Sequence, residues 1–161
     1  MKIFHRFKPN YLVVPLIVIF ISWFSSLATF VGIDSGWYDN LIKPNLNPPN
    51  WIFGPVWTLI YILTTVSFLI FWNKIKKDKY WYLLLMLFIY NAIVNFSWSF
   101  AFFKFNNIGT ALWLATEIWF SVLLLMIFLW PRSKMAVLLL TPYLLWVSFA
   151  TYLNYMLWSL N

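Results

Sequence analysis

The chain has 161 residues, of which 63% are hydrophobic and only 9% charged, with a formal net charge of +7. A soluble domain carries about 25% charged residues, and a disordered chain combines low hydrophobicity with high charge, so both classes are excluded. The mean hydropathy of +0.79 leaves an integral membrane protein, and the length gives room for one domain, 1–161.

A membrane-crossing helix takes about 20 mostly apolar residues, and five such runs follow one another. The first, 11–31, comes after Lys2, Arg6 and Lys8; its length and the lack of a small-residue cleavage site predict a retained helix and not a leader. The others are 51–72, 80–103, 108–130 and 135–160. Three connections, 73–79, 104–107 and 131–134, are tight and predict antiparallel neighbours. The link 32–50 is much longer and holds Pro44, Pro48 and Pro49 together with Trp37, Tyr38, Leu41 and Ile42. That is too apolar for a tether, and we read it as a folded lid over one mouth of the bundle. The fold class is therefore all-α integral membrane, a bundle of five transmembrane helices with a long folded loop between helices 1 and 2. No internal repeat is visible, which counts against an inverted-repeat transporter.

Lys and Arg set the orientation. Lys2, Arg6, Lys8, Lys74, Lys76, Lys77, Lys79, Arg132 and Lys134 fall on one side, against Lys43 and Lys104 on the other. The N-terminus is then cytoplasmic, with the lid and the C-terminus outside. The same distribution accounts for the positive charge without nucleic acid.

The chemistry is narrowed by what is missing. There is no cysteine, and the single histidine, His5, precedes the first apolar run. Haem iron or a buried metal is usually held by imidazole or thiolate, so no metal site is expected. No Ser–His–Asp set, carboxylate pair or phosphate loop is present either.

What remains is aromatic and amide. In the third helix Asn91, Asn95, Trp98 and Phe102 fall at i, i+4, i+7 and i+11, one stripe that should face the bundle because carboxamides facing lipid are costly. It is either a set of helix–helix hydrogen bonds or a cavity wall. In the fifth helix Tyr143, Trp146, Ala150 and Leu153 share a face, with Asn154 one step round and Pro142 predicting a kink. Pro55, Trp57 and Tyr61 belong to the second. The chain has twelve Trp, nine Tyr and seventeen Phe. Trp72, Trp81, Trp130 and Trp158 suit interfacial belts, whereas Trp57, Trp98 and Trp146 fall deeper and suit a cavity for a large planar ligand. Glu117 is the one carboxylate well inside a predicted span. Without a chain of ionisable partners it reads as protonated, bonded to a neighbouring helix or at a dimer contact before it reads as a proton relay.

Trp37-Tyr38, Lys43-Pro44, Pro48-Pro49, Trp51, Phe53 and Pro55-Val56-Trp57-Thr58 through Tyr61 resemble the signature of the tryptophan-rich sensory protein / translocator protein (TspO/MBR) family, which includes the peripheral benzodiazepine receptors. Asn95-x-x-Trp98 with Phe102-Phe103 resembles its third-helix motif. Pro142-Tyr143-x-x-Trp146-x-x-Phe149-Ala150 with Leu153-Asn154 resembles its fifth. The resemblance implies a bundle, commonly a homodimer, in a bacterial cell membrane, acting as a receptor for tetrapyrroles such as protoporphyrin IX under the first loop. Isoquinoline carboxamides and benzodiazepines share that cavity in the family. The implied ligand-binding set is Tyr38, Pro48, Phe53, Trp57, Tyr61, Asn95, Trp98, Ser99, Trp146 and Ala150. No cofactor is required, and Lys43 could meet the propionates of a metal-free porphyrin. Light- and oxygen-dependent degradation of the porphyrin is implied for some relatives, with Trp57 and Trp146 in the catalytic positions. The alternatives are a transporter or efflux helper for tetrapyrroles and a partner-binding membrane subunit.

Three departures qualify the resemblance. Asn91 stands where the family often has glutamine. The family's frequent fourth-helix acid falls at Leu114, one turn before Glu117. Tyr155 is followed by no basic residue, so the sterol pattern of mitochondrial members is incomplete and sterol binding is not expected. Gly109 and Ala111 are the small residues that could serve a dimer contact.

Overall fold

The structure is a computed structural model that describes residues 8–161; Lys2, His5 and Arg6 lie outside them. The elements are α1 (Asn10–Asp34), a single short turn α2 (Trp37–Asn40), α3 (Asn50–Lys74), α4 (Lys79–Ser99) running on into a π turn (Phe100–Lys104), α5 (Ile108–Leu129) and α6 (Lys134–Leu160). Five of these are long and apolar enough to cross a membrane, and no strand occurs among the described residues. This is the all-α membrane bundle expected from the apolar runs.

The helix starts have local causes. Each short connection ends in a residue whose side chain satisfies an otherwise orphaned backbone N–H. Asp78 accepts from the Trp81 amide at 2.9 Å, Asn107 from the Thr110 amide at 2.9 Å, and Ser133 from the Ala136 amide at 3.2 Å. Gly36, with φ of 72°, makes the left-handed reversal between α1 and α2. α6 is continuous through Pro142, which is exposed.

The core lies between α3, α4, α5 and α6. Phe71, Leu84, Val122, Leu129 and Leu140 are completely buried there, and Trp81 stacks on Phe71 with centroids 5.2 Å apart. α1 stands outside that core. Only Ser25, Ala28 and Gly32 of its 25 residues are buried, a stripe of small side chains that lets a neighbouring backbone come close. At Gly32 a Cβ would fall 2.6 Å from the Phe103 carbonyl oxygen. α1 reaches Asp34, three residues past the expected end, so Gly32 meets the π turn from within the helix. Gly109 and Ala111 have roles inside the chain: Trp158 closes over Gly109, 3.4 Å from where its Cβ would be, and Ala111 is fully buried.

Candidate functional site: an aromatic cavity under the lid

Because α1 is held mainly at its lid end, a gap remains between it and the four-helix core. The gap is a cavity of about 1030 Å³ running along the seam of α1 and α3. Its walls extend from Tyr38 and Asn47 of the lid to Pro15 of α1 and Leu69 of α3, and α4 and α6 form the back. Ile19, Trp23 and Phe30 of α1 and Ile62 and Val66 of α3 line it while also being exposed at the outer surface. The cavity is therefore open sideways between these two helices.

Eight of the ten residues named from the sequence line this space: Tyr38, Phe53, Trp57, Tyr61, Asn95, Trp98, Ser99 and Ala150. Pro48 does not reach it. Trp146 stands behind Phe53, whose ring meets it edge-on at 5.8 Å, and its indole nitrogen is buried without a hydrogen-bond partner. Lys43 is also off the wall; its ammonium lies 4.6 Å from the centre of the Tyr38 ring and 3.7 Å from the Asp39 carboxylate.

The roof comes from an irregularity in α4. Phe102 and Phe103 both fall within the π turn, where the backbone is wider than in an α-helix, and both line the cavity. Phe102 stacks on Trp98 at 5.2 Å with only 10° between the planes. Trp37 and Tyr38 of the lid meet Phe102 at 5.2 and 6.1 Å, and Tyr38 meets Phe103 at 5.9 Å. Burial pushes the Tyr38 phenol above its ordinary pKa, and its hydroxyl oxygen accepts from the Asn47 amide at 3.4 Å. A clasp at the far end of the chain secures the lid: the Asn161 side chain accepts from the Ile42 N–H at 3.0 Å and donates to the Ile42 carbonyl at 3.1 Å.

The amide stripe of α4 both joins helices and forms wall. Tyr61 donates to Asn95 at 3.1 Å, Asn95 to the Tyr143 oxygen at 2.9 Å, and Tyr143 to Asn91 at 3.1 Å. Asn91 donates to Ser121 at 2.8 Å, and Ser121 to the Ile118 carbonyl at 2.8 Å. One unbroken chain of hydrogen bonds thus ties α3, α4, α6 and α5 together. A second link joins the Trp98 indole to Asn154 at 3.0 Å, and Asn154 to the Ile108 carbonyl at 3.2 Å. Trp57 packs beside the first chain, 5.6 Å from Tyr61 and 6.1 Å from Tyr143. Glu117 lies elsewhere, where it accepts from the Tyr90 hydroxyl of α4 at 2.7 Å. Among the readings of Glu117, this geometry is the bond to a neighbouring helix.

Sequence reasoning missed the α1 wall. Ser22, Ser25, Ser26 and Thr29 fall at i, i+3, i+4 and i+7 inside an apolar run and mark the face that lines the cavity. The Asn161 clasp left no comparable signal, since a terminal asparagine has no periodicity to place it.

The comparisons with known proteins agree with the motifs. The sequence profile of the TspO/MBR family matches residues 12–159. The chain is 37% identical over 136 residues to the tryptophan-rich protein TspO of Chlorobaculum tepidum, covering 83% of this chain and 85% of that one. It is 34% identical over 154 residues to the tryptophan-rich protein TspO of Bacillus cereus, covering 91% and 95%. The human translocator protein is 30% identical over 136 residues, covering 78% and 75%. With the five-helix membrane bundle and motifs placed on helices in the family's order, the chain belongs to the TspO/MBR family.

Proposed function

We propose that the protein is a membrane receptor whose cavity holds a flat, mostly apolar aromatic molecule of tetrapyrrole size, with metal-free protoporphyrin IX as the first candidate. The observation that carries this reading is the cavity itself, about 1030 Å³ and faced by Phe53, Trp57, Tyr61, Trp98, Phe102 and Phe103. Small-molecule pockets run to about 1,000 Å³ and are lined by apolar and aromatic groups with few polar ones. A planar ring can stack against Trp57 or Trp98 without needing many hydrogen bonds. The absence of cysteine and the position of His5 ahead of α1 favour a porphyrin without iron. Propionates would point to the lid, where Lys43 is the nearest cation. The charge distribution supports an N-terminus in the cytoplasm, so that the lid faces outward.

The test is a titration of the reconstituted protein with protoporphyrin IX in the dark, followed by tryptophan quenching. Saturable quenching, weakened in Trp57→Ala and Trp98→Ala, is expected; quenching no different from that of a lipid control overturns the reading. Illumination in air then addresses degradation, with dioxygen as the oxidant. Trp57 faces the cavity and Trp146 is screened by Phe53, so loss of porphyrin should fall more in Trp57→Phe than in Trp146→Phe.

A further inference from the structure

The chain of hydrogen bonds behind the cavity has a direction. A backbone carbonyl can only accept, so the Ser121 hydroxyl, bonded to the Ile118 carbonyl, gives its hydrogen there. Ser121 then accepts from Asn91, which fixes the Asn91 amide with its oxygen toward Tyr143. Tyr143 has one hydrogen and gives it to Asn91, so its oxygen accepts from Asn95, whose own oxygen takes the hydrogen of Tyr61. Four buried side chains thus pass one polarity from α5 to α3. Asn91, Asn95, Ser121 and Tyr143 all have relative exposures of 7% or less, so each finds its partners within the protein. The chain ends on Tyr61, which lines the cavity beside the Trp57 ring. Its only hydrogen points backward, and what it offers the cavity is a lone pair.

We infer that Tyr61 selects for ligands carrying an N–H or O–H donor at the edge of an aromatic plane, and against ligands that place a carboxylate or another bare acceptor there. This rests on the reading of the cavity as an aromatic-ligand site and specifies which chemistry that site prefers. A ligand stacked on Trp57 brings its edge to Tyr61, so a ring N–H completes the series as a sixth link. An acceptor in the same place faces oxygen against oxygen with no proton between them. A bound porphyrin would therefore turn its ionised propionates away from Tyr61.

Flat isosteres separate this from shape and greasiness. Carbazole carries a ring N–H where dibenzofuran carries an ether oxygen, and fluorene has neither. Each is titrated into protein-containing nanodiscs, with partition into empty nanodiscs subtracted. Carbazole should bind about five-fold more tightly than dibenzofuran, the worth of one net hydrogen bond, with fluorene between them. Tyr61→Phe should bring carbazole to the level of fluorene. If that variant is too unstable to measure, the comparison of wild-type affinities decides alone. Equal affinities for carbazole and dibenzofuran overturn the inference. Preference for dibenzofuran also overturns it, because the series would then run from Ser121 to Tyr61 and turn the phenol hydrogen into the cavity. A protein that ranks the isosteres as stated but gives no saturable porphyrin quenching keeps the donor preference and loses the tetrapyrrole reading.

Discussion

α1 and the α3–α6 core are both apolar enough to cross a membrane, yet they are held in different ways. The core buries large side chains and threads four helices on one series of hydrogen bonds. α1 buries only Ser25, Ala28 and Gly32, while Leu12, Leu16, Phe20 and Phe30 lie exposed. In water those exposed side chains would be the ones to drive packing. In a bilayer lipid serves them equally well, and close approach of small residues with polar bonds decides which faces meet. The difference between the regions creates the cavity, since the helix with the weakest attachment leaves the widest seam.

That contrast can be broken most severely at Gly32. Gly32→Leu pushes a side chain into the Phe103 backbone, and we expect a loss of about 2–3 kcal/mol by the usual cost of overpacking. The α1 amides should also exchange hydrogen faster while those of α5 stay protected, a pattern that hydrogen-exchange mass spectrometry would detect. Uniform loss of protection would mean that α1 is an equal part of the core.

Asn95→Leu attacks the other side of the comparison. It leaves the Tyr61 hydroxyl without its acceptor and the Tyr143 oxygen without its donor, while Tyr143 still donates to Asn91. An unpaired buried polar group costs about 1–3 kcal/mol, so about 2 kcal/mol should be lost in denaturant titration. Here α3 and α4 should lose protection before α1 does.

Asn161→Ala releases the lid clasp and leaves both regions otherwise intact. Stability should change by about 0.5 kcal/mol or less, as for other exposed positions. Ligand should leave about two-fold faster, since the two clasp hydrogen bonds are solvent-exposed and a lid loosened by about 0.5 kcal/mol opens that much more often. A stopped-flow dissociation measurement would check it, and an unchanged rate would show that the lid is held by its aromatic contacts alone.

The smallest effect is expected at Asp78, the exposed cap of α4. The Trp81 N–H it accepts, with the Arg132 guanidinium 3.6 Å away, holds its carboxyl below the ordinary value. Its contribution is complete above the unfolded pKa of about 3.9 and disappears as the pH falls through the lower folded value. Melting curves of Asp78→Ala should therefore lose part of the acid-side decline that the parent shows, and more so at low salt.

The sequence was legible where chemistry and periodicity coincide. Five apolar runs fixed the number of helices, and the α4 stripe put Asn95, Trp98 and Phe102 on one face. Trp146 illustrates the limit. The spacing in α6 puts it on one side with Tyr143 and Ala150, but the ring packed against it comes from α3, and no spacing within α6 reports on Phe53. The lid was recognised by its prolines and aromatics, whereas its fastening depends on residues 119 positions apart. The seam was hidden for a different reason, because hydropathy rates α1 as a good membrane helix and says nothing of how firmly it is attached.

The π turn has a consequence for how this roof could vary. It contains one residue more than an α-helical turn of similar rise, and Phe102 and Phe103, both within it, line the cavity. Substitution can change which rings are there, but only a change of chain length removes the turn. Deleting one residue between Phe100 and Lys104 would let α4 continue as a regular helix and swing one phenylalanine out toward lipid. The segments on either side would keep their phase, because a π turn takes up one extra residue within a single turn, so the change would fall on the roof alone. A one-residue deletion here is therefore the change of length that reshapes the roof while leaving the rest of the bundle in register.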